Sequence, residues 1–466
     1  MGPAPHKTLA AMVPTYGPLI HLRLGSVHMN IASSAAVAAQ FLKTHDANFS
    51  SRPHFLGIEH GAYNYEDLVF APYGPKWKLL RKISAVHLFS NKALEDFRHV
   101  REEEVAVLTR ALTRSGSDPV NLAPLLNVCT TNAIARAVLG KRVFNDGDGA
   151  AGQESSDFKE MVVEMMVLGG TFNIGDFIPS LKSLDLQGII ARSKKVLKRF
   201  DAFLSKILED HKISGSDGEK HTDFLSLLIK MKDEANTEGV QLTDTNIKAL
   251  LLNLFTAGTD TSSSTVEWAL TELMRHPKLL VKAQQELDTV VGKNRLVSEL
   301  DIAQLPFFQA IIKETFRLHP STPLSVPRMA SEDCEINGYI ITKASSLLVN
   351  VYAIGRDPSV WPEPLEFKPE RFLPGSEQAH IDVKGNDFDL IPFGAGRRIC
   401  AGMNLGVRMV TFATATLIHA FDWVLPDGQM VEKLNMDEAY GLTLQRASPL
   451  VVHPRPRLAP EVYGAY

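Results

Sequence analysis

Cys400 stands in PFGAGRRICAG, Pro392 to Gly402, with glycines at 394, 396 and 402 and arginines at 397 and 398. Flanking glycines let a backbone fold tightly round a sulfur so that peptide N–H groups aim at it. The following run, AGMNLGVRMVTFATATLIHAF, has helical spacing, and the positive end of such a helix falls beside the same sulfur. Both features favour thiolate over thiol. No second Cys or His lies at zinc spacing here, which argues against a closed tetrahedral zinc site. A single axial thiolate on haem iron fits better, with Arg398 available to a propionate. A buried structural cysteine needs neither glycines nor arginines around it, and that reading suits Cys129 and Cys334.

A second stretch raises its own chemistry. TDTNIKALLLNLFTAGTDTSSSTVEWALTELMRH reads as one helix from an N-cap at Thr243 to a stop at Pro277, apolar nearly all round through ALLLNLF. Its middle nevertheless carries AGTDTSSS, where Gly258 costs about 1 kcal/mol against Ala and an unpartnered buried Asp260 costs more. One reading is a polar stripe whose Thr and Ser hydroxyls bond back to the preceding turn. The other is a notch: Gly258 lets a ligand approach the backbone while Asp260 and Thr261 present an acid and a hydroxyl to it.

The elements that must position these groups are mostly helices. SKKVLKRFDAFLSKILEDHK repeats apolar residues at three- and four-residue spacing, whereas strand candidates are few and short: PLIHLRLG, VHMNIAS, CEINGYII, SLLVNVY and PLVVHP. Loop signals fall at Asn145 to Ser156, Ser214 to Thr222 and Trp361 to Gly396. The expected fold is mainly α, a large helical body with small sheets appended. Composition is that of an ordinary folded chain: 466 residues, 45% hydrophobic, 22% charged, formal net charge −4, which speaks against nucleic acid as a partner. Three cysteines far apart make no disulfide framework, and no run approaches the roughly 20 apolar residues of a membrane span, so a soluble chain is expected.

The pattern F-x-x-G-x-R-x-C-x-G formed by Phe393, Gly394, Gly396, Arg398, Cys400 and Gly402 should match by chance in fewer than about one chain in a thousand. At these residues the sequence resembles the cytochrome P-450 superfamily, the haem-thiolate monooxygenases. KETFRLHP supplies that family's E-x-x-R as Glu314 and Arg317, and FKPERF supplies Arg371, which the resemblance makes the third member of a buried structural cluster bracing the haem side. WKLLR offers Trp77 and Arg81, one helical turn apart, which resemble the family's propionate-binding pair. AGTDTS resembles its oxygen-activating notch. Because these marks span essentially the whole chain, residues 1–466 are expected to form one domain with a smaller β-rich lobe, all enclosing haem.

The resemblance implies a mechanism. Cys400 as thiolate pushes electron density onto iron and favours O–O cleavage of dioxygen, and Asp260 and Thr261 relay the protons. The 466 residues hold no G-x-G-x-x-G after a strand, so NADPH-derived electrons must come through a separate NADPH-cytochrome reductase. Lys76, Lys78, Arg81, Lys82, Arg397 and Arg408 are candidates for its docking face, or else ordinary solvated charge.

Within the superfamily, HDANFSSRP, GGTFNIGDFIPSLKSLDLQG, AGTDTSSSTVEWA and EAYGLTLQRA are similar to the plant flavonoid 3′-hydroxylases. These insert oxygen ortho to the 4′-hydroxyl of the flavonoid B ring in naringenin, dihydrokaempferol and kaempferol types. Thr443 favours them over the 3′,5′-hydroxylases, where Ala is usual at that place. Substrate contacts implied by the resemblance fall on the loop from His54 to Tyr73, on the central helix around Phe255 to Thr259, on TPLSVP from Thr322 through Leu324 to Pro327, and on Leu442 to Leu444 with Thr443, each of which could equally be core packing. The resemblance also implies anchorage on the cytosolic face of the endoplasmic reticulum. A membrane span and proline-rich hinge do not precede MGPAPHKTLAAM, so a truncated or short form is expected. GYIITKASS lacks the Pro and Gly usual in relatives, so strain is expected at Lys343 and Ala344. The rivals are a haem-thiolate isomerase or dehydratase, which would not need Asp260 and Thr261, and an inactive haem protein acting only as an interaction partner.

Overall fold

Thr243 Oγ1 accepts from the Asn246 N–H and Asn246 Oδ1 accepts from the Thr243 N–H, each at 3.1 Å, closing the capping box that starts the central helix, Asp244–Arg275. Pro277 opens the next helix, Pro277–Val290, so the chain breaks where the sequence places the stop. The computed structural model describes residues 2–144, 153–216, 223–233, 241–426 and 429–464.

The two ends of the central helix belong to different cores. Its first half, with Leu250, Leu251 and Phe255, packs into a cluster holding Leu80, Val138 and Phe200. Its second half, with Val266, Leu270 and Leu273, packs into a cluster holding Ile311, Phe412 and Leu417. The polar segment between them is therefore left to face something other than hydrocarbon. Helices Leu122–Leu139, Pro306–Leu318 and Met403–Ala420 pack directly against the central helix. Leu122–Leu139 is long and apolar enough to cross a membrane, but 67% of it is buried in the body and it serves as a core helix.

The sheets are small. A four-stranded sheet runs in the order Leu19–Leu24, Val27–Ala32, Ser346–Val349, Arg328–Met329, antiparallel except for Val27–Ala32 beside Ser346–Val349. Val120–Asn121, Val451–Pro456 and Phe421–Val424 form a second sheet, and Glu438–Tyr440 pairs with Leu444–Arg446. The architecture is the expected helical body with a β-rich lobe.

Three local expectations need correction. SLLVNVY is strand only to Val349, because Asn350 caps a short helix, Val351–Ile354, by accepting from the Ala353 N–H at 3.1 Å. The loop expected at 145–156 is helix from Gln153, and that expected at 214–222 is helix through Ser216; residues 145–152 and 217–222 lie outside the described residues. CEINGYII is a hairpin turned at Asn337 and Gly338, both at positive φ. The strain foreseen after it falls on Ala344, at φ 65°, where the Ala344 N–H donates to Ala330 O at 2.9 Å.

The helix Pro5–Tyr16 was not foreseen. His6, buried against Tyr352 and Tyr440, meets Glu438 at 3.0 Å, and Lys7 meets the same carboxylate at 2.7 Å, so the helix is clipped to the lobe.

Candidate active site

Gly394 and Gly396 take φ near 70°, and a Cβ on Gly396 would stand 2.4 Å from both Asp46 Oδ1 and Leu42 O. Only glycine fits there. The tight loop lets the Cys400 N–H donate to Phe393 O at 3.0 Å and delivers the sulfur to a cavity at the start of helix Met403–Ala420. Phe393 lies between sulfur and body, its ring edge-on to Phe316 at 5.2 Å. Cys400 is open to the cavity yet enclosed by the fold. Burial pushes its thiol up, while the Gly402 N–H and the Arg81 guanidinium pull it down. The net direction is upward. The peptide N–H expected to favour the thiolate is present, and burial opposes it.

The cavity has a volume of about 340 Å³ and apolar walls. Four arginines line it: Arg81 and Arg398 were foreseen, whereas Arg52 and Arg328 were not. Burial, then the neighbouring Arg398 and Arg328 charges, hold Arg52 well below its ordinary value. Burial likewise lowers Arg328 and Arg398 to about 10. Arg398 Nε donates to Ser50 O at 2.6 Å, and its Nη2 donates to Ala71 O, but its buried Nη1 has no partner. Clustered buried cations with an unspent donor ask for anionic oxygens. Carboxylates on a flat apolar macrocycle, with a metal above the sulfur, answer both demands, so the residues present fit haem. Trp77 lines the same cavity, but its Nε1–H donates to Leu68 O at 3.0 Å and its ring lies 4.3 Å under the Arg398 guanidinium.

Across the cavity stands the polar middle of the central helix. Thr261 lines it, with Oγ1 donating to Ala257 O at 2.7 Å. Gly258 lines it too; a Cβ there would meet Ile134 Cδ1 at 2.5 Å, the far end of a side chain that would have to move aside. Asp260 is buried behind this wall. Its Oδ2 accepts from Thr443 Oγ1 and its Oδ1 accepts from Gln445 Nε2 at 2.5 Å. Burial pushes the Asp260 carboxyl up, against the pull of Thr443, Gln445 and the more distant Lys159. Both helix readings hold in part: Thr256, Thr261 and Thr265 bond back one turn, and the notch is open as well.

The residues expected to touch substrate divide. Thr322 and Thr443 line the cavity, as do Ile58, Leu68 and Phe70 from the loop after His54. Phe255 does not; it turns to Phe158 and Phe203, with centroids 6.2 and 6.4 Å away. Leu324 does not either, since it packs with Leu9, Ile20 and Ile31 beside the four-stranded sheet.

The family model of cytochrome P450 matches residues 2–452. The chain belongs to the cytochrome P450 family. A zebrafish cytochrome P450 solved with progesterone shares the fold with a TM-score of 0.81 at 26% identity, covering 97% of this chain and 99% of the other. A petunia (Petunia hybrida) protein named flavonoid 3′-monooxygenase is 67% identical over 99% of this chain and 90% of its own length. A Crocosmia x crocosmiiflora protein named flavonoid 3′,5′-hydroxylase is less similar, 56% identical over 100% of this chain and 89% of its own. As a P450 the protein is a haem-thiolate oxidoreductase, whose cofactor is haem and whose electrons derive from NADPH through a reductase.

Beneath the haem side of this P450, Glu314, Arg317 and Arg371 do meet. Arg371 Nε donates to Glu314 Oε1 at 3.1 Å, and Arg317 Nη1 donates to Gly355 O and Pro364 O at 2.6 and 2.7 Å. The cluster ties a helix to the loop before the cysteine. Of the charges considered for docking, Lys76, Arg397 and Arg408 pair with Glu66, Asp46 and Glu95, and Arg81 faces the cavity. Lys78 and Lys82 are exposed. Missed from sequence were Arg52, Arg328 and Gln445, for which isolated Arg or Gln gives no spacing signal. Also missed was Asn253, which donates to Asp67 at 3.0 Å and accepts from the Leu68 and Val69 N–H groups.

Proposed function

We propose that this P450 is a flavonoid 3′-monooxygenase of plant flavonoid biosynthesis, placing a hydroxyl ortho to the 4′-hydroxyl of the B ring in naringenin, dihydrokaempferol or kaempferol types. The observation that carries the chemistry is the arginine-rimmed cavity with Cys400 on its floor and Thr261 on its opposite wall. The likeness to the petunia flavonoid 3′-monooxygenase supports the substrate. The balance is flavonoid C–H, O2, NADPH and one proton giving flavonoid C–OH, water and NADP⁺.

Haem bound through Cys400 supplies dioxygen activation and oxygen insertion. The chain's own residues do the rest. Arg398, with its unpartnered Nη1, would hold a propionate, with Arg81, Arg52 and Arg328 adding positive charge around it and Trp77 stacked on Arg398. Thr261 holds a proton at Oγ1 on the cavity wall, and Asp260 replenishes it from behind. Apolar walls exclude water, while the hydroxyls of Thr322 and Thr443 orient a flat phenol. The chain acts as a single catalytic domain at the endoplasmic reticulum membrane. Its reductase docks on the exposed Lys78 and Lys82 of helix Pro75–His87, above the thiolate side.

Incubating the holoenzyme and a plant reductase with NADPH and, separately, a flavanone, a dihydroflavonol and a flavonol tests this. The expected product is the 3′,4′-catechol in at least one class. Trihydroxylated B rings as the main product would assign the 3′,5′ activity, and no hydroxylation of any class would refute the reading.

A further inference from the structure

Asp260 presents a difficulty for proton delivery. Its carboxyl is buried and does not itself line the cavity, and both its oxygens are taken by residues of another element, the segment Leu442–Gln445. Thr443 touches both sides: its hydroxyl donates to Asp260 Oδ2 and the residue lines the cavity wall. That segment is pinned residue by residue. The Leu442 N–H donates to Met166 O at 2.8 Å, the Leu444 N–H to Ser321 O at 2.7 Å, and Ser264 Oγ to Leu444 O at 3.0 Å. The position of the Thr443 hydroxyl is thus fixed by backbone bonds on either side of it.

We propose that Thr443 and Gln445 are positioning residues for Asp260, and that the Thr443 hydroxyl is the link through which the buried carboxyl exchanges a proton with the cavity. The inference rests on the reading of Asp260 as the proton source. It also changes what Thr443 means. The residue that favours the 3′-hydroxylases over the 3′,5′-hydroxylases is wired to the acid, so replacing it alters proton supply as well as the wall.

The charged groups facing Asp260 are Lys159, from helix Gln153–Gly170, and Glu267, two turns further along its own helix. Against that background the donors Thr443 and Gln445 favour the carboxylate. Removing one favours the acid and moves its titration to higher pH.

The test uses the holoenzyme with reductase, NADPH and a turned-over flavonoid, reading product formed and hydrogen peroxide released per NADPH across pH 6 to 9. Each variant must first show the thiolate-type carbon-monoxide band. Thr443→Val should lower product per NADPH severalfold, raise peroxide correspondingly, and move the pH limb of coupling upward; Thr443→Ser should restore both. Gln445→Met, removing the other donor, should act in the same direction and serves if Thr443→Val fails to hold haem. Asp260→Asn should uncouple at least as strongly, and adding Thr443→Val to it should change nothing further. Unaltered coupling and pH limb in Thr443→Val, with only KM changed, would overturn the proposal while leaving Asp260 as proton source. Full coupling in Asp260→Asn would overturn the reading of Asp260 itself.

Discussion

Glu314 and Arg317, three residues apart on helix Pro306–Leu318, meet through two parallel hydrogen bonds of 2.7 Å with neither side chain exposed. A surface i,i+3 pair contributes tenths of a kcal/mol. This one is different because Arg371 shares Glu314 and the Lys368 N–H donates to it at 2.8 Å. Arg317→Ala would leave a carboxylate buried with half its partners and the Gly355 and Pro364 carbonyls without their donor. Destabilisation of about 3–5 kcal/mol is expected, read as a lowered urea midpoint and poor haem retention. A loss below about 1 kcal/mol, the surface range, would contradict the buried-brace role.

The N-terminal clip gives a pH dependence. Burial raises Glu438, but hydrogen bonds from His6 and Lys7 and their charges outweigh it and bring the carboxyl down to about 2. A carboxyl lowered in the fold stabilises above its unfolded value of about 4.5, and that stability drains as pH falls toward 2. Because Lys7 is half exposed, water screens part of the pair, leaving about 1–3 kcal/mol. Proteolytic release of the first 16 or so residues should therefore accelerate from pH 5 to pH 3 in the unmodified protein. Glu438→Gln should show fast release throughout. A Glu438→Gln chain as protected as the parent at pH 7 would rule the clip out.

Thr261 presents the hydroxyl on the cavity wall, and its bond back to Ala257 fixes the rotamer. Thr261→Ala should divert reducing equivalents to hydrogen peroxide and slow product formation by about a hundredfold, the lower range for a lost general acid. The haem spectrum should be unchanged. Normal coupling in this variant would remove the hydroxyl from proton supply.

Lys78, three residues before Arg81 on helix Pro75–His87, is exposed, with its ammonium 5.1 Å from the Tyr73 ring. Reversal to Glu, with Lys82→Glu as its companion, should weaken reductase-supported turnover, more so at low salt, and spare peroxide-supported turnover. Equal losses in both assays would exclude a docking role.

What the sequence made legible was local. The cysteine loop and the E-x-x-R pair carry their meaning in short-range spacing, and Thr243 with Asn246 is a cap readable at three residues' distance. What it hid was long-range or a matter of facing. Arg52 and Arg328 reach the cavity of Arg398 from other segments of the chain, and each of the two alone looks like surface charge. Gln445 reaches Asp260 from 185 residues away. Phe255 and Leu324 were misassigned for a different reason. The family resemblance places them near substrate but does not say which cavity or core their side chains enter; Phe255 lies on a helix buried all round, where no exposed face gives the orientation, and Leu324 lies in a turn packed beside the sheet.

The most direct measurement is the absorption of the reduced, carbon-monoxide-treated protein, parent against Cys400→Ser. The parent should show the red-shifted Soret band of a thiolate-ligated haem, and Cys400→Ser should lose it along with NADPH-supported hydroxylation. A parent without that band, or a Cys400→Ser protein that keeps it, would contradict the assignment of the sulfur as the ligand on which the site is built.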